Sequence, residues 1–226
     1  MESVSIIIPV LNEAAVVAQA IQRAWATEPL EVIVVDGGSD DATYDIAESE
    51  RCHLLRSPQG RGVQQNMGAR QAQGSVLLFL HADTWLAPDG IRQMQHACTN
   101  PSVRVGCFRQ RIEADGVAYR LLERGNAWRA SRLGMPYGDQ GLFFRRSFLD
   151  ELGGFPDTPF MEDWLLMRRA RRRARPRLLP GPLHVSPRRW QRNGILRQTL
   201  RNWLLITATT LGASPDRLAR FYRHHR

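Results

Sequence analysis

Short runs of β-branched and other apolar residues recur through the first hundred residues of the chain. They occupy Val4–Val10, residues 30–36 and residues 76–80, which read VSIIIPV, LEVIVVD and VLLFL. Continuous apolar runs of this length are typical of strands buried on both faces, as in parallel sheets. A fourth, shorter strand is predicted over residues 53–56.

Stretches with helical patterns lie between these runs. Helices are predicted over residues 12–27, 40–51 and 62–73. The alternation of strands and helices predicts an α/β fold built on a doubly wound sheet.

The second half of the chain changes character. A strand is predicted over residues 103–112 and a helix over residues 117–133, followed by a short apolar segment. The remaining predictions are helical: a turn at 147–152, an arginine-rich helix at 162–174, and two C-terminal stretches at 195–211 and 215–224. No repeat or clear linker interrupts the chain, so we expect a single domain over residues 1–226.

Arginine supplies all 31 basic residues, and the formal net charge is +9. Such complete use of arginine is typical of a coding bias, so charge alone selects no partner, although guanidinium groups suit phosphates. The arginines are widely spread, without an aromatic platform or a nucleic-acid motif, so no nucleic-acid partner is predicted.

Cysteine content and chain ends indicate the compartment. The three cysteines form no CxxC pair, which argues against disulfides and a structural zinc site and favours a reducing environment. The N-terminal sequence lacks a basic region, and Pro9 cuts its apolar run short, so no signal peptide is predicted. The apolar stretch at 203–211 is far shorter than the roughly 20 residues of a membrane span. We therefore expect a cytoplasmic protein.

Acidic residues follow three of the predicted strands. The strand ends read PVLNE at 9–13, DGGSDD at 36–41 and HADT at 81–84. Ligands of open α/β sheets bind at the carboxyl ends of the strands. Carboxylates gathered there repel one another unless a cation or a hydrogen-bonding ligand lies between them. A nucleotide with a divalent cation would serve, and Asp83 suits Mg²⁺ or Mn²⁺ bridging a diphosphate.

Helix capping is the alternative role for these polar residues. Ser39 or Asp40 could cap the helix that follows them, and the adjacent glycines could serve only the turn. Asp36 precedes the glycines, where a cap is less natural. Thr84 and Asp89 are nearer candidates than Asp83 for capping the next helix.

The motifs together resemble those of family-2 glycosyltransferases. SIIIPVLNE, VIVVDGGSDDAT and LLFLHADT are similar to the three opening motifs, and YGDQGLFFRR, LGGFP and MEDWLLMRR to the acceptor-side and ED motifs. SPRRW, RNGILRQTL and GASPDRLARFY resemble the tail of a small bacterial subgroup. The resemblance implies a GT-A fold, with a Rossmann-like mixed sheet. It also implies inverting transfer of a sugar from a nucleoside diphosphate, with UDP favoured, to a hydroxyl acceptor of unknown identity.

The resemblance also implies roles for individual residues. Asp163 matches the catalytic base, with Glu162 beside it. The residues implied at the nucleotide sugar are Pro9, Glu13, Asp36, Arg61, Asp83, Asp139 and Arg189. It divides the chain into a nucleotide-binding half (1–100), an acceptor and catalytic half (101–190) and C-terminal helices (191–226).

One motif departs from the family pattern. His81 stands where the first acid of the DxD motif is usual, and Asp83 is the final acid. An imidazole can donate to a ribose hydroxyl or bind Mn²⁺. His184 is a further candidate metal ligand, because some relatives carry a metal-binding histidine after the ED motif; a structural role is its alternative.

Alternatives remain open at this stage. A nucleotidyltransferase also uses acidic metal ligands on an α/β sheet, and a nucleotide-sugar-binding protein without activity would share the donor motifs. Arg188, Arg189 and Trp190 could clamp a diphosphate, and Arg189 is the favoured residue of the three. The C-terminal helices could pack on the domain, form a homodimer or contact an anionic membrane peripherally.

Overall fold

The computed structural model describes residues 2–195 and residues 204 and 208. Eight strands form one sheet. They are β1 (Val4–Val10), β2 (Glu31–Asp36), β3 (His53–Arg56), β4 (Val76–Phe79), β5 (Thr84–Leu86), β6 (Val105–Ile112), β7 (Leu142–Arg145) and β8 (Arg177–Val185). Their order across the sheet is β3-β2-β1-β4-β7-β6-β8-β5.

The first four strands form the parallel half of the sheet. β1 pairs in parallel with β2 on one side and β4 on the other, and β3 extends the sheet beyond β2. These strands are the apolar runs of the sequence, and β1, β2 and β4 are buried on both faces. Their carboxyl ends therefore share one edge of the sheet.

The second half makes the sheet mixed. β7 runs antiparallel between β4 and β6, β8 is parallel to β6, and β5 is antiparallel to β8. The short strand β5, which directly follows Asp83, is thus held at the far edge by a strand from late in the chain.

Eight α-helices accompany the sheet in the described residues. They are α1 (Val17–Trp25), α2 (Thr43–Glu48), α3 (Arg61–Gln71), α4 (Gly90–Cys98), α5 (Val117–Trp128), α6 (Arg146–Glu151), α7 (Glu162–Ala170) and α8 (Arg188–Asn193). Two apolar clusters divide between the faces of the sheet: one contains residues of α1, α2 and α4, and the other residues of α6 and α7. The predicted α/β fold with helices on both faces is confirmed.

Local differences from the predictions have physical causes. Helix α1 begins at Val17 rather than at residue 12, because Asn12 takes a left-handed conformation (φ 55°). Its side chain accepts a hydrogen bond from the Asp40 amide at 3.0 Å, which holds the chain in a loop. The helices predicted over 40–51 and 162–174 are shorter at their ends than expected.

Three strands, β5, β7 and β8, were not predicted as strands from the sequence, and β8 is the most instructive. It contains Pro180 and Pro182, and proline cannot donate to a strand ladder. The ladder with β6 shifts register here, because Leu179 pairs with Phe108 and Leu183 with Gln110. The prolines lie in this irregularity, so the flanking residues keep their hydrogen bonds.

The C-terminal helices predicted over 195–211 and 215–224 lie outside the described residues, apart from 195, 204 and 208. Within the described part of the chain, no helix has both the length and the apolar character needed to cross a membrane.

Candidate active site

A cavity of about 260 Å³ opens at the shared carboxyl edge of β1 and β4, with α3 and α7 beside it. Its volume is close to the lower end of the range for small-molecule sites. Seven of the residues singled out in the sequence line this cavity, which we call the donor cavity after the ligand that the resemblance implies: Pro9, Glu13, Arg61, His81, Asp83, Glu162 and Arg189.

Asp36 does not line the donor cavity. It is buried, and its Oδ2 accepts hydrogen bonds from the amides of Gly38 and Ser39, both at 3.0 Å, while Oδ1 accepts from the Ser39 hydroxyl. Neither Ser39 nor Asp40 caps α2, because the N-cap residue is Ala42 and no side chain caps the helix there. The Asp41 carboxylate, which precedes the helix, accepts from the Thr43 amide at 2.9 Å. In this structure Asp36 fixes the loop after β2, and its role toward a nucleotide stays a prediction.

Gln64 is a residue of the cavity wall that the sequence reasoning missed. It is buried on α3, and its Nε2 donates to the carbonyl oxygens of Val10 and Val35, both at 2.8 Å. The side chain thus joins α3 to the ends of β1 and β2. Its place in GRGVQQN, on a predicted helix beside Arg61, was the available signal.

Arg61 and Glu162 form an ion pair across the cavity wall. The Arg61 Nη1 lies 3.3 Å from Glu162 Oε1. Glu162 is only 4% exposed, and this burial raises its pKa despite the opposing charge of Arg61. Glu162 therefore holds the guanidinium in place rather than facing open solvent.

Asp163 is fixed by backbone amides at the start of α7. Its Oδ1 accepts from the Trp164 amide and its Oδ2 from the Gly138 amide, both at 2.6 Å. A Cβ built on Gly138 would lie 3.0 Å from Asp163 Oδ2 and 3.1 Å from His81 Nε2. The glycine therefore lets the loop before β7 approach both side chains, and it brings the predicted base close to the end of β4.

Asp139 lines a second, smaller cavity of about 40 Å³, which also touches His81, Asp83, Arg189 and Trp190. Burial raises the pKa of Asp139, and its Oδ1 has no hydrogen-bond partner among the described residues. A buried carboxyl oxygen without a hydrogen-bond partner lowers the stability of the fold. Such an oxygen is therefore a candidate to bind a ligand. The predicted place of Asp139 near a sugar stays a prediction.

His81 is buried, and its Nε2 has no hydrogen-bond partner in the described part of the molecule. Burial, assisted by the charge of Arg61, lowers the pKa of His81 to about 3, so the ring is neutral at physiological pH. Burial alone would raise the pKa of Asp83. The charges of Arg189 and Arg188, with the hydrogen bond from Arg188, outweigh it and hold that pKa below its usual range.

Arg188 contacts two of the carboxylates that line the donor cavity. Its Nε donates to Asp83 Oδ2 at 3.2 Å, and its Nη2 lies 3.0 and 2.8 Å from the two carboxylate oxygens of Glu13. Arg189 Nη2 lies 3.6 Å from the same Asp83 oxygen. The SPRRW motif favours Arg189, but Arg188 makes the closer contact with Asp83.

The third candidate metal ligand, His184, has other contacts. Its Nδ1 lies 2.8 Å from Glu113 Oε1, and its ring stacks on Trp85 with centroids 5.4 Å apart. Neither partner lines the donor cavity. Across the described residues, no group of three or more His, Cys, Asp or Glu side chains is arranged to hold a metal ion.

Comparison with known sequences gives a family match over most of the chain. Residues 5–155 match the sequence model of the family described as Glycosyl transferase family 2. EpsH of Bacillus subtilis is 29% identical over 113 residues, which cover 46% of this chain and 33% of EpsH. An N-acetylglucosaminyltransferase of Rhizobium leguminosarum is 27% identical over 134 residues, which cover 54% of this chain and 32% of the relative. The chain thus matches about a third of the length of these curated relatives.

Solved structures share the fold. The mannosyltransferase PcManGT from Pyrobaculum calidifontis, solved with GDP-Man and Mn²⁺, superposes with a TM-score of 0.63 and 21% identity, covering 82% of this chain and 56% of PcManGT. TarS 1–349 of S. aureus, solved with UDP-GlcNAc, gives a TM-score of 0.62 and 19% identity, covering 81% of this chain and 58% of TarS 1–349. These neighbours are glycosyltransferases of the GT-A fold, so the predicted fold class is confirmed.

Proposed function

Because the chain belongs to glycosyl transferase family 2, we propose that it transfers a sugar from a nucleoside diphosphate sugar to an acceptor hydroxyl. A UDP-sugar is the favoured donor, and the anomeric configuration is inverted. The proposal is supported by a donor cavity at the carboxyl edge of the sheet, where ligands of α/β folds bind.

The observation that carries the proposal is the setting of Asp163. Two backbone amides, from Gly138 and Trp164, orient its carboxylate beside the end of β4. A carboxylate so fixed keeps free lone pairs and loses little freedom when it accepts a proton. This is the arrangement that a general base needs, and the buried Glu162 beside it is committed to Arg61.

The proposed reaction is one in-line displacement. The acceptor oxygen forms a bond to the anomeric carbon as the bond from that carbon to the diphosphate oxygen breaks. Asp163 takes the proton of the acceptor hydroxyl, and the nucleoside diphosphate leaves with the bonding electron pair. A single displacement inverts the anomeric centre, so a product of retained configuration would refute this mechanism.

Other residues are proposed to hold the donor. Pro9, Glu13 and Arg61 line the cavity on the side proposed for the base and ribose, and Asp36 shapes the loop beside them. Asp139 Oδ1 and His81 Nε2, which have no hydrogen-bond partner among the described residues, are proposed to bind hydroxyls of the sugar or the ribose.

The Mg²⁺ or Mn²⁺ that the resemblance implies would have Asp83 and His81 as ligands. Mg²⁺ is commonly held by one or two carboxylates together with substrate phosphates. Here Asp83 already pairs with two guanidinium groups, and Arg188 also forms an ion pair with Glu13. The residues as arranged do not fit a divalent cation, and no step of the reaction is assigned to one.

A thermal-shift panel of UDP-, GDP-, CMP- and dTDP-sugars, with and without Mn²⁺, tests the proposal. A ligand at about 100 times its Kd adds roughly 2.7 kcal/mol to the free energy of unfolding, so the true donor raises the melting temperature by several degrees. Stabilisation by no nucleotide sugar would remove the donor site. A nucleoside triphosphate that stabilises the protein better than any sugar donor would favour a nucleotidyltransferase. A donor that binds but is neither transferred nor hydrolysed would favour a binding protein.

We further propose a cytoplasmic location, supported by three free cysteines in the described chain. Peripheral membrane contact and homodimer formation were predicted for C-terminal stretches that lie largely outside the described residues. Cell fractionation at low and high salt tests the first, and sedimentation of the purified protein tests the second.

A further inference from the structure

Two consecutive arginines at the start of α8 converge on the carboxylate that follows β4. Arg188 Nε and Arg189 Nη2 lie 3.2 and 3.6 Å from the same oxygen, Asp83 Oδ2. The backbone brings them there, because the Ser186 amide donates to the Asp83 carbonyl at 3.0 Å and Val185 pairs with Thr84 in the sheet. Their position beside Asp83 is therefore part of the fold.

Arg188 also spans the edge of the donor cavity. Its Nη2 contacts both carboxylate oxygens of Glu13, at 3.0 and 2.8 Å, while its Nε contacts Asp83. One guanidinium thus lies between the two acids at the ends of β1 and β4. With Arg189, the two positive charges balance the two carboxylates, and a divalent cation entering here would have to displace an arginine.

We propose that Arg188 and Arg189, rather than a divalent cation, bind the diphosphate of the donor. On donor binding, the guanidinium of Arg188 leaves Glu13 and Asp83 and pairs with phosphate oxygens, for which its planar fork is well suited. Asp83 then serves to position the arginines while the site is empty of donor. This inference rests on the proposed function and adds that donor binding needs no metal.

The effect of Asp83→Asn on binding of a nucleoside diphosphate distinguishes a metal site from the arginine site. If Asp83 held a cation, Asp83→Asn would weaken binding of a nucleoside diphosphate. If Asp83 competes with the diphosphate for two arginines, the same change removes the competitor. Binding is then retained or tightened.

Isothermal titration calorimetry with UDP, GDP and dTDP, in excess EDTA and in excess Mn²⁺, tests the proposal. The nucleotide that binds is expected to bind equally well in both conditions. Arg188→Ala is expected to weaken it about 10- to 100-fold, the range for loss of hydrogen bonds to a charged group. Arg188→Lys keeps the charge without the fork and should fall between wild type and Arg188→Ala. Arg192→Ala, at an exposed arginine of the same helix, is the matched control and should bind as wild type.

The outcomes are distinguishable. Binding that appears only with Mn²⁺, or that is lost in Asp83→Asn, overturns the arginine proposal and leaves the transferase standing. Failure of all three nucleotides to bind in either condition overturns both. If Arg188→Ala does not fold, Arg188→Lys and Asp83→Asn still decide, because the first keeps a positive charge between the acids and the second removes one of those acids.

Discussion

Replacing Asp163 with asparagine tests the proposed chemistry most directly. The change keeps the size of the side chain but removes its charge and its capacity to accept a proton. Since both carboxylate oxygens accept amide hydrogen bonds, from Gly138 and Trp164, the new NH₂ group must face one of these N–H donors. The variant therefore loses one charge-assisted hydrogen bond as well as the base.

The two losses have different sizes. Loss of a general base lowers the rate of transfer about 10²- to 10⁴-fold, which corresponds to a rise of about 3–5 kcal/mol in the activation barrier. Loss of a hydrogen bond to a charged group lowers the free energy of unfolding by about 1.5–3 kcal/mol. Binding of the nucleoside diphosphate should be unchanged, because Asp163 is not among the residues that line the donor cavity.

The transfer rate is measured as release of nucleoside diphosphate from the donor that the thermal-shift panel selects. Water serves as the acceptor if no other is known. Calorimetry with the nucleotide gives binding, and urea unfolding gives stability. Asp157→Asn, at an exposed aspartate before α7, is the control and should match wild type in all three. A rate for Asp163→Asn within tenfold of wild type, with binding intact, would refute the assignment of the base.

Two further predictions concern the surroundings of this base. Gly138→Ala should lower the transfer rate at least about tenfold with little loss of folding. The new Cβ would lie 3.0 Å from Asp163 Oδ2 and displace a base that needs a near-attack geometry. The control is Gly125→Ala, which has open space around it and should leave the rate unchanged. The contribution of Glu162 to stability should fall as pH rises above 4.5, its ordinary pKa, because the raised pKa means that this carboxyl binds more protons in the folded state there. Buried His81, whose pKa is lowered from 6.5 to about 3, contributes in the opposite direction, so the test is the difference between wild type and a variant. Urea unfolding of Glu162→Gln should lack this part of the fall.

These predictions fail in recognisable ways. Equal rates for Gly138→Ala and Gly125→Ala would show that the loop before β7 does not fix the base. Identical pH dependence of unfolding in wild type and Glu162→Gln would show that the burial of this carboxyl has no energetic consequence.

The parallel half of the fold could be predicted because its signals are local. Val4–Val10 and its neighbours are continuous apolar runs, and burial on both faces of a parallel sheet is what selects such runs. The same reasoning placed acids at the carboxyl ends of the strands, where the donor cavity lies. β8 could not be predicted in this way, because its prolines fit a strand only where the ladder with β6 is interrupted.

The pairing within the site could be predicted only in part. The motif SPRRW indicated arginines near a diphosphate, but no pattern distinguishes Arg188 from Arg189, because their contacts depend on the turn between β8 and α8. The arrangement of His184 likewise depends on Trp85 and Glu113, which come together only through the pairing of β5, β8 and β6. Such long-range contacts leave no trace in local periodicity.

The ion pair between Glu13 and Arg188 joins residues 175 positions apart, and this separation has a consequence for synthesis of the protein. On a ribosome the acids at the ends of β1 and β4 emerge long before the arginines that neutralise them. A nascent chain stopped at residue 155 would lack β8 as well as both arginines, so β5 would have no strand to pair with. Pairing of β5 with β8 and neutralisation of the acids after β1 and β4 therefore both wait for residues 177–189, and contacts of such long range are slow to form.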